Sequence, residues 1–188
     1  MARGQLKSAI TAGKRVFLRN PTARDREEFV ALNRASAQLH RGLVSPPVNH
    51  EEFLALLHRC RWPDFVSLFV CRLEDHAIVG SINLSQIFRG GFQSAYMGYH
   101  IGAPYANRGY MTEAIKLALR YAFETLKLHR LEANIQPHNV ASIALVKRAG
   151  FTREGYSRRY LKIGGRWRDH ERWAILAEDW KTTNVRQK

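Results

Sequence analysis

A segment able to bind an anion runs from Tyr105 through Ala106, Asn107, Arg108, Gly109, Tyr110 and Met111 to Thr112. It leads into an apolar run in which Met111, Ala114, Ile115, Ala118, Ala122 and Leu126 recur at helical spacing, so the pattern predicts a long helix opening at Gly109. The first N–H groups of a helix have no partner within it, and the helix dipole places positive potential at the same end. Gly109 allows backbone to approach a phosphate closely and Arg108 adds a full charge, which suits a pyrophosphate. An ordinary capped turn has the same composition, and the segment alone does not separate the two readings.

A second constellation, His138-Asn139-Val140-Ala141-Ser142, opens the next predicted helix, with Asn139 as its cap and Ser142 one turn inside. Asn and Ser are favoured at these places for structural reasons, so simple capping is the alternative to a functional role. The two cysteines, Cys60 and Cys71, belong to no CxxC or Cys/His cluster. Neither a metal site nor a disulfide framework is expected from them.

The chain has 188 residues, 45% of them hydrophobic, with 30 Lys and Arg against 16 Asp and Glu for a net charge of +14. That apolar content is too high for a disordered basic tail and suits one compact domain. A charge of this size attracts nucleic acid, an anionic membrane surface or a polyphosphate cofactor without choosing among them. No run approaches the roughly 18 apolar residues of a membrane span, and the start of the chain lacks the apolar stretch of a signal peptide. A cytoplasmic location is the resulting expectation.

These candidate sites need elements to position them. A flexible start is expected over 1–14, a single domain over 15–180 and a frayed tail over 181–188. Val16, Phe17 and Leu18 begin a first strand, a helix is predicted from Thr22 to Gln38, and Asn49 caps a second, short one. Three strands follow, over Phe65 to Arg72, Ile78 to Leu84 and Ser94 to Ile101. Beyond the long helix come a strand at Leu131 to Ile135, a helix from Asn139 to Ala149, and two strands joined at Gly164 and Gly165. The order predicts an α+β fold, with a mixed, mostly antiparallel sheet of about seven strands flanked by about four helices.

Asn139-Val140-Ala141-Ser142, followed by Gly150-Phe151-Thr152-Arg153-Glu154-Gly155, resembles the GNAT N-acetyltransferase family, and the resemblance spans about Lys14 to Trp180. Leu128-His129-Arg130-Leu131-Glu132-Ala133-Asn134, Tyr160-Leu161-Lys162-Ile163 and Trp167-Arg168-Asp169-His170 are similar to its RimJ/RimL branch of ribosomal-protein-alanine N-acetyltransferases. The family's cofactor loop has the form Gln/Arg-x-x-Gly-x-Gly/Ala. Here Pro104 replaces the leading residue and Asn107 the first glycine, while Gly109 remains. Tyr96 stands where many relatives carry Glu, so the usual base is missing.

The resemblance implies acetyl-CoA as co-substrate and a GNAT-like sheet. The pyrophosphate would lie on Tyr105 to Thr112, and the pantetheine between splayed strands at Tyr96 to Ile101 and Leu131 to Ile135. Backbone near His100 and Ile101 would polarise the thioester carbonyl, Asn139 would hold the pantetheine arm, and Ser142 would protonate the leaving thiolate. Ser142, Glu154 and Tyr160 are the expected catalytic residues, with His100, His138 and Asp169 as further candidates for the base. The implied acceptor is a protein N-terminus starting with Ala or Ser, plausibly ribosomal, with electrostatic association to the ribosome or RNA. Two readings compete with it: a small-molecule acetyltransferase acting on an antibiotic or polyamine, and an RNA-binding module built on Arg158, Arg159, Lys162, Arg166, Arg168 and Arg172.

Overall fold

The computed structural model describes residues 9–185. Strands β1 (Ala9–Ala12) and β2 (Val16–Arg19) form a hairpin closed by Gly13 N–H on the Val16 carbonyl at 2.8 Å. The expected flexible start is therefore ordered strand from Ala9, and residues 1–8 lie outside the described part. Arg19 grips the buried Asp25 carboxylate with two nitrogens at 2.8 Å each, and Thr22 N–H reaches the same carboxylate at 2.6 Å. This turn aims the chain into α1 (Arg26–Ala35).

The single helix expected over Thr22 to Gln38 is divided. Ser36 Oγ donates to the Leu32 carbonyl at 2.6 Å and accepts from Ala103 N–H at 2.8 Å, and a short α2 (Ala37–His40) restarts after it. A side-chain hydroxyl competing for helix hydrogen bonds accounts for the break. In α3 (His50–Arg59), Asn49 Oδ1 accepts from Glu52 N–H at 2.9 Å, the cap its sequence predicts.

The remaining elements are β3 (Phe65–Arg72), β4 (Ile78–Phe88), β5 (Ser94–Ile101), α4 (Tyr110–Arg120), β6 (Arg130–Ile135), α5 (Val140–Arg148), β7 (Thr152–Ile163), β8 (Arg166–Leu176) and α6 (Ala177–Val185). Helix α6 thus continues past the point where fraying was expected. The eight strands form one sheet in the order β1-β2-β3-β4-β5-β6-β8-β7, one more than predicted because of β1. Gly164 and Gly165, with φ of +55° and +78°, make the β7–β8 turn.

Strand alternation sends side chains to two cores. Val16, Leu18, Leu68 and Val70 pack with Ala114, Ile115 and Ala118 of α4 on one face, while Phe17, Phe69 and Cys71 pack with Phe29 of α1 and Phe53 of α3 on the other. The Phe29 and Phe69 rings stack at 4.3 Å. Each fully buried aromatic of this kind contributes about 1.5–3 kcal/mol, which fixes both helical layers against the sheet.

Strands β5 and β6 run parallel and pair only at Ser94 with Arg130, Ala95 with Leu131, and Tyr96 with Glu132. Beyond Tyr96, β5 follows β4 as far as Ile101 opposite Gly80, and β6 follows β8 as far as Ile135 opposite Glu171. The sheet therefore opens into a wedge in its middle.

Candidate active site

The wedge holds a cavity of about 640 Å³, walled by β5, β6, the N-terminus of α4 and the first turn of α5. Backbone direction in β5 follows from two contacts. Gly102 N–H reaches the Val79 carbonyl at 2.7 Å, and a Cβ on Gly80 would lie 2.2 Å from the His100 carbonyl oxygen. The His100 backbone therefore faces β4, and by alternation Tyr99 and Ile101 aim their N–H and C=O groups into the wedge. The expectation of open backbone near these residues holds for the Ile101 N–H and passes from His100 to Tyr99.

The wide end of the wedge is strapped. His40 Nε2–H donates to the Ile101 carbonyl at 2.9 Å, since a carbonyl only accepts, and Gln136 Nε2–H donates to the Gly42 carbonyl at 2.7 Å. Residues 40–42 thereby join the ends of β5 and β6 without closing the gap between them.

At the narrow loop before α4, Gly109 has φ of +81° and Asn107 has φ of +60°, a left-handed region that Asn tolerates and β-branched residues avoid. The N–H groups of Tyr110, Met111 and Thr112 have no intrahelical acceptors. A Cβ at Gly109 would meet only the Arg15 guanidinium, at 3.6 Å, so the approach to these donors is open. Arg15 also donates to the Arg108 carbonyl at 2.9 Å and lies 4.3 Å over the Tyr110 ring. Open backbone donors, a helix N-terminus and cations fit the pyrophosphate of a CoA-type molecule.

On the opposite wall Asn139 Oδ1 accepts from Ser142 N–H at 3.2 Å and caps α5. Ser142 Oγ then stands 2.5 Å from the Tyr99 hydroxyl, a bond that spans the wedge. Burial pushes the Tyr99 phenol up to about 12, so it stays protonated across the physiological range. Tyr99 is a site residue that sequence reasoning missed.

Several expected residues lie elsewhere, or, like His100, line the cavity while the ring is held on the other face. Glu154 is locked in a two-pronged ion pair with Arg130, at the end where β5 and β6 still pair, and its hydrogen bonds to that guanidinium hold it below the usual carboxylate range. The structure does not bring it to the cavity. The His100 ring is sealed on the α1 side, 3.1 Å from Asn33 Oδ1 and 3.3 Å from Ser81 Oγ, and burial, with His40 adding to it, lowers it to about 3. Tyr160 bonds the Tyr96 hydroxyl and, together with burial, raises Tyr96 to about 12. Asp169 accepts from Tyr156 Oη–H at 2.6 Å and Arg159 N–H at 2.7 Å, and His138 is exposed before α5. Buried His170, by contrast, borders the cavity.

Residues 15–152 match the acetyltransferase (GNAT) domain family. The chain belongs to the GNAT acetyltransferases. Over 107 residues it is 43% identical to the [ribosomal protein uS5]-alanine N-acetyltransferase of Escherichia coli, covering 57% of this chain and 55% of that one. The chain spans between half and three-fifths of the length of the curated relatives it matches most strongly. Among solved structures, Mycobacterium smegmatis RimJ in complex with CoA-disulfide superimposes with a TM-score of 0.77 at 27% identity, over 87% of this chain and 82% of that one. A Vibrio cholerae spermidine N-acetyltransferase in complex with CoA and spermine gives a TM-score of 0.76 at 22% identity, over 88% and 98%, a likeness of fold alone. What the family match establishes is a GNAT acetyltransferase domain over residues 15–152. Among its described residues no helix is long and apolar enough to cross a membrane, and no group of three potential metal ligands occurs.

The wedge and the α4 N-terminus make a direct expectation. Acetyl-CoA raises the melting temperature of the wild-type GNAT enzyme by mass action. Gly109→Val places a branched side chain on the open approach to the α4 donors and removes most of that shift. Scanning calorimetry of both proteins with and without acetyl-CoA checks this, and an equal shift in the variant places the pyrophosphate elsewhere.

Proposed function

We propose that this enzyme acetylates the N-terminal α-amine of a protein beginning with Ala or Ser, with a ribosomal protein as the acceptor. The observation that carries the reading is the lining of the wedge. Among the described residues no carboxylate contributes to it, although a polycationic acceptor is best matched by local acid. A single neutral amine requires no such acid. The 43% identity to a uS5-alanine acetyltransferase points the same way and exceeds the 28% identity, over 108 residues, to a Vibrio cholerae spermidine N(1)-acetyltransferase. A net charge of +14 draws the enzyme toward the anionic RNA that surrounds a ribosomal N-terminus.

Acetyl-CoA, when bound, supplies an acetyl group activated as a thioester. The N–H groups of Tyr110, Met111 and Thr112 hold the pyrophosphate, with Arg108 adding charge, and Tyr105, Ala106 and Asn107 shape the loop. The inward backbone of Tyr99 and the N–H of Ile101 pair with the pantetheine amides as a neighbouring strand would, and the Asn139 amide steadies the same arm. An inward N–H also stabilises negative charge on the thioester oxygen. Ser142 Oγ–H, backed by the protonated Tyr99 hydroxyl, donates to the departing thiolate.

Acceptor choice follows from amine acidity. At pH 7.5 an α-amine of pKa near 7.8 is about one-third neutral and a Lys amine near 10.4 about a thousandth, a preference of a few hundredfold at equal geometry. Thiol release and mass spectrometry with Ala- and Ser-initiated peptides, spermidine and an aminoglycoside are expected to show turnover of the peptides with the acetyl group on the α-nitrogen. Turnover of the polyamine or the drug with none on peptides contradicts the reading. Ser142→Ala is expected to lower kcat by about tenfold to a hundredfold with little change in acetyl-CoA affinity. Steady-state kinetics beside calorimetric titration checks it, and an unchanged kcat returns Ser142 to a capping role.

A further inference from the structure

We propose that His170 is the general base that takes the proton from the attacking amine, a role that rests on the acetyl-transfer reading above. His170 is 2% exposed and borders the same cavity as Tyr99 and Ser142. Its Nδ1 lies 3.0 Å from the Arg168 carbonyl. A carbonyl only accepts, so Nδ1 carries the ring proton and the neutral imidazole keeps a lone pair on Nε2.

Strand parity places the ring on the side from which an acceptor can arrive. Trp173 and Ile175 of β8 enter the core under α4, as do Ala95 and Met97 of β5. His170 therefore lies on the opposite face of the sheet, together with Tyr96 and Gly98. Gly98 leaves that face bare, since a Cβ built there meets nothing within 4 Å. An amine crossing the sheet at Gly98 reaches the wedge with His170 beside it.

The groups around the ring keep it neutral. The Tyr160 ring meets it edge-on at 6.2 Å, Asp169 and Arg168 adjoin it on β8, and His138 faces it from the turn before α5. Burial lowers its proton affinity and His138 adds to this, while the Arg168 carbonyl and Asp169 oppose them without reversing the direction. The other candidate bases are already committed: Glu154 to Arg130, Asp169 to Tyr156 and Arg159, and His100 beneath α1.

The step balances without a further reactant. The neutral amine nitrogen attacks the acetyl carbonyl carbon, a C–N bond forms, and an N–H proton passes to His170 Nε2. The C–S bond breaks, and the thiolate takes a proton from the Ser142–Tyr99 hydroxyl pair. Water returns the imidazolium proton to that pair, so the resting state is restored.

The test uses two variants and a pH profile. His170→Asn retains a side-chain N–H for the Arg168 carbonyl but has no basic Nε2. Its kcat on an Ala-initiated peptide is expected to fall about a hundredfold or more, with the acetyl-CoA-induced melting shift intact. In His170→Gly, added imidazole is expected to restore part of the lost rate. A base must be neutral to act and burial lowers this one from the ordinary 6.5, so below pH 6.5 wild-type kcat falls more steeply than amine protonation alone dictates, an added acid limb that His170→Asn lacks. Wild-type enzyme that turns over no amine contradicts the acetyl-transfer reading itself. Active wild type whose His170→Asn variant keeps kcat within twofold, or loses acetyl-CoA binding along with activity, overturns the base. Should neither variant fold, a wild-type kcat with no acid limb overturns it as well.

Discussion

Parallel pairing between β5 and β6 lasts for three residue pairs and then stops, and the placing of every other part of the site depends on that divergence. Each strand keeps its outer partner, β4 or β8, so the sheet stays anchored while its middle loses a ladder of hydrogen bonds. Unpaired backbone inside a protein is costly, which makes the inward groups of Tyr99 and the N–H of Ile101 a ready template for an extended, amide-bearing ligand. The straps from His40 to Ile101 and from Gln136 to Gly42 hold the wide end open at fixed width. On the proposed function, a bound CoA arm would act here as the missing strand.

The helices that flank the wedge present different chemistry to it. Helix α4 presents unpaired N–H groups beside Gly109, with its approach steadied by Arg15 and by Glu113, whose carboxylate accepts from Lys14 and Arg15 N–H at 2.5 and 2.9 Å. Helix α5 presents Ser142, held by the Asn139 cap and by Tyr99. On the other face of the sheet stand Gly98, which leaves room, and His170, whose ring orientation is set by one carbonyl. With the proposed roles of Ser142 and His170, leaving-group side and nucleophile side would be separated by the sheet itself, with the wedge as the passage between them.

Features set by local sequence were legible before the structure. The apolar period from Met111 to Leu126 marked α4, although the α-helix proper ends at Arg120 and a wider turn covers Tyr121–Thr125. Asn49 and Asn139 cap where their residue type predicts. Features that depend on distant partners were not legible. The break at Ser36 comes from an acceptor bond to Ala103, 67 residues away, and β1 exists because β2 pairs with it. Tyr99 acquires its place from Ser142, 43 residues on, and His170 from the cavity it borders. The offset between His100 and Tyr99 is one step of strand parity, which sequence cannot fix without the register of β4. Glu154 looked catalytic within its motif, and Arg130 across the sheet claims it.

The claim at the centre of this account is that the wedge, and no other hollow, receives acetyl-CoA as a surrogate strand. Another cavity of similar size, about 620 Å³, lies between α1, α3 and residues 41–48, so the alternative is concrete. Amide hydrogen exchange, followed residue by residue with and without acetyl-CoA, separates them most directly. The account predicts added protection at Tyr99, Ile101 and Tyr110 to Thr112, with the amides of α3 unchanged. Protection confined to residues 41–59, or none in β5 and the first turn of α4, would contradict it.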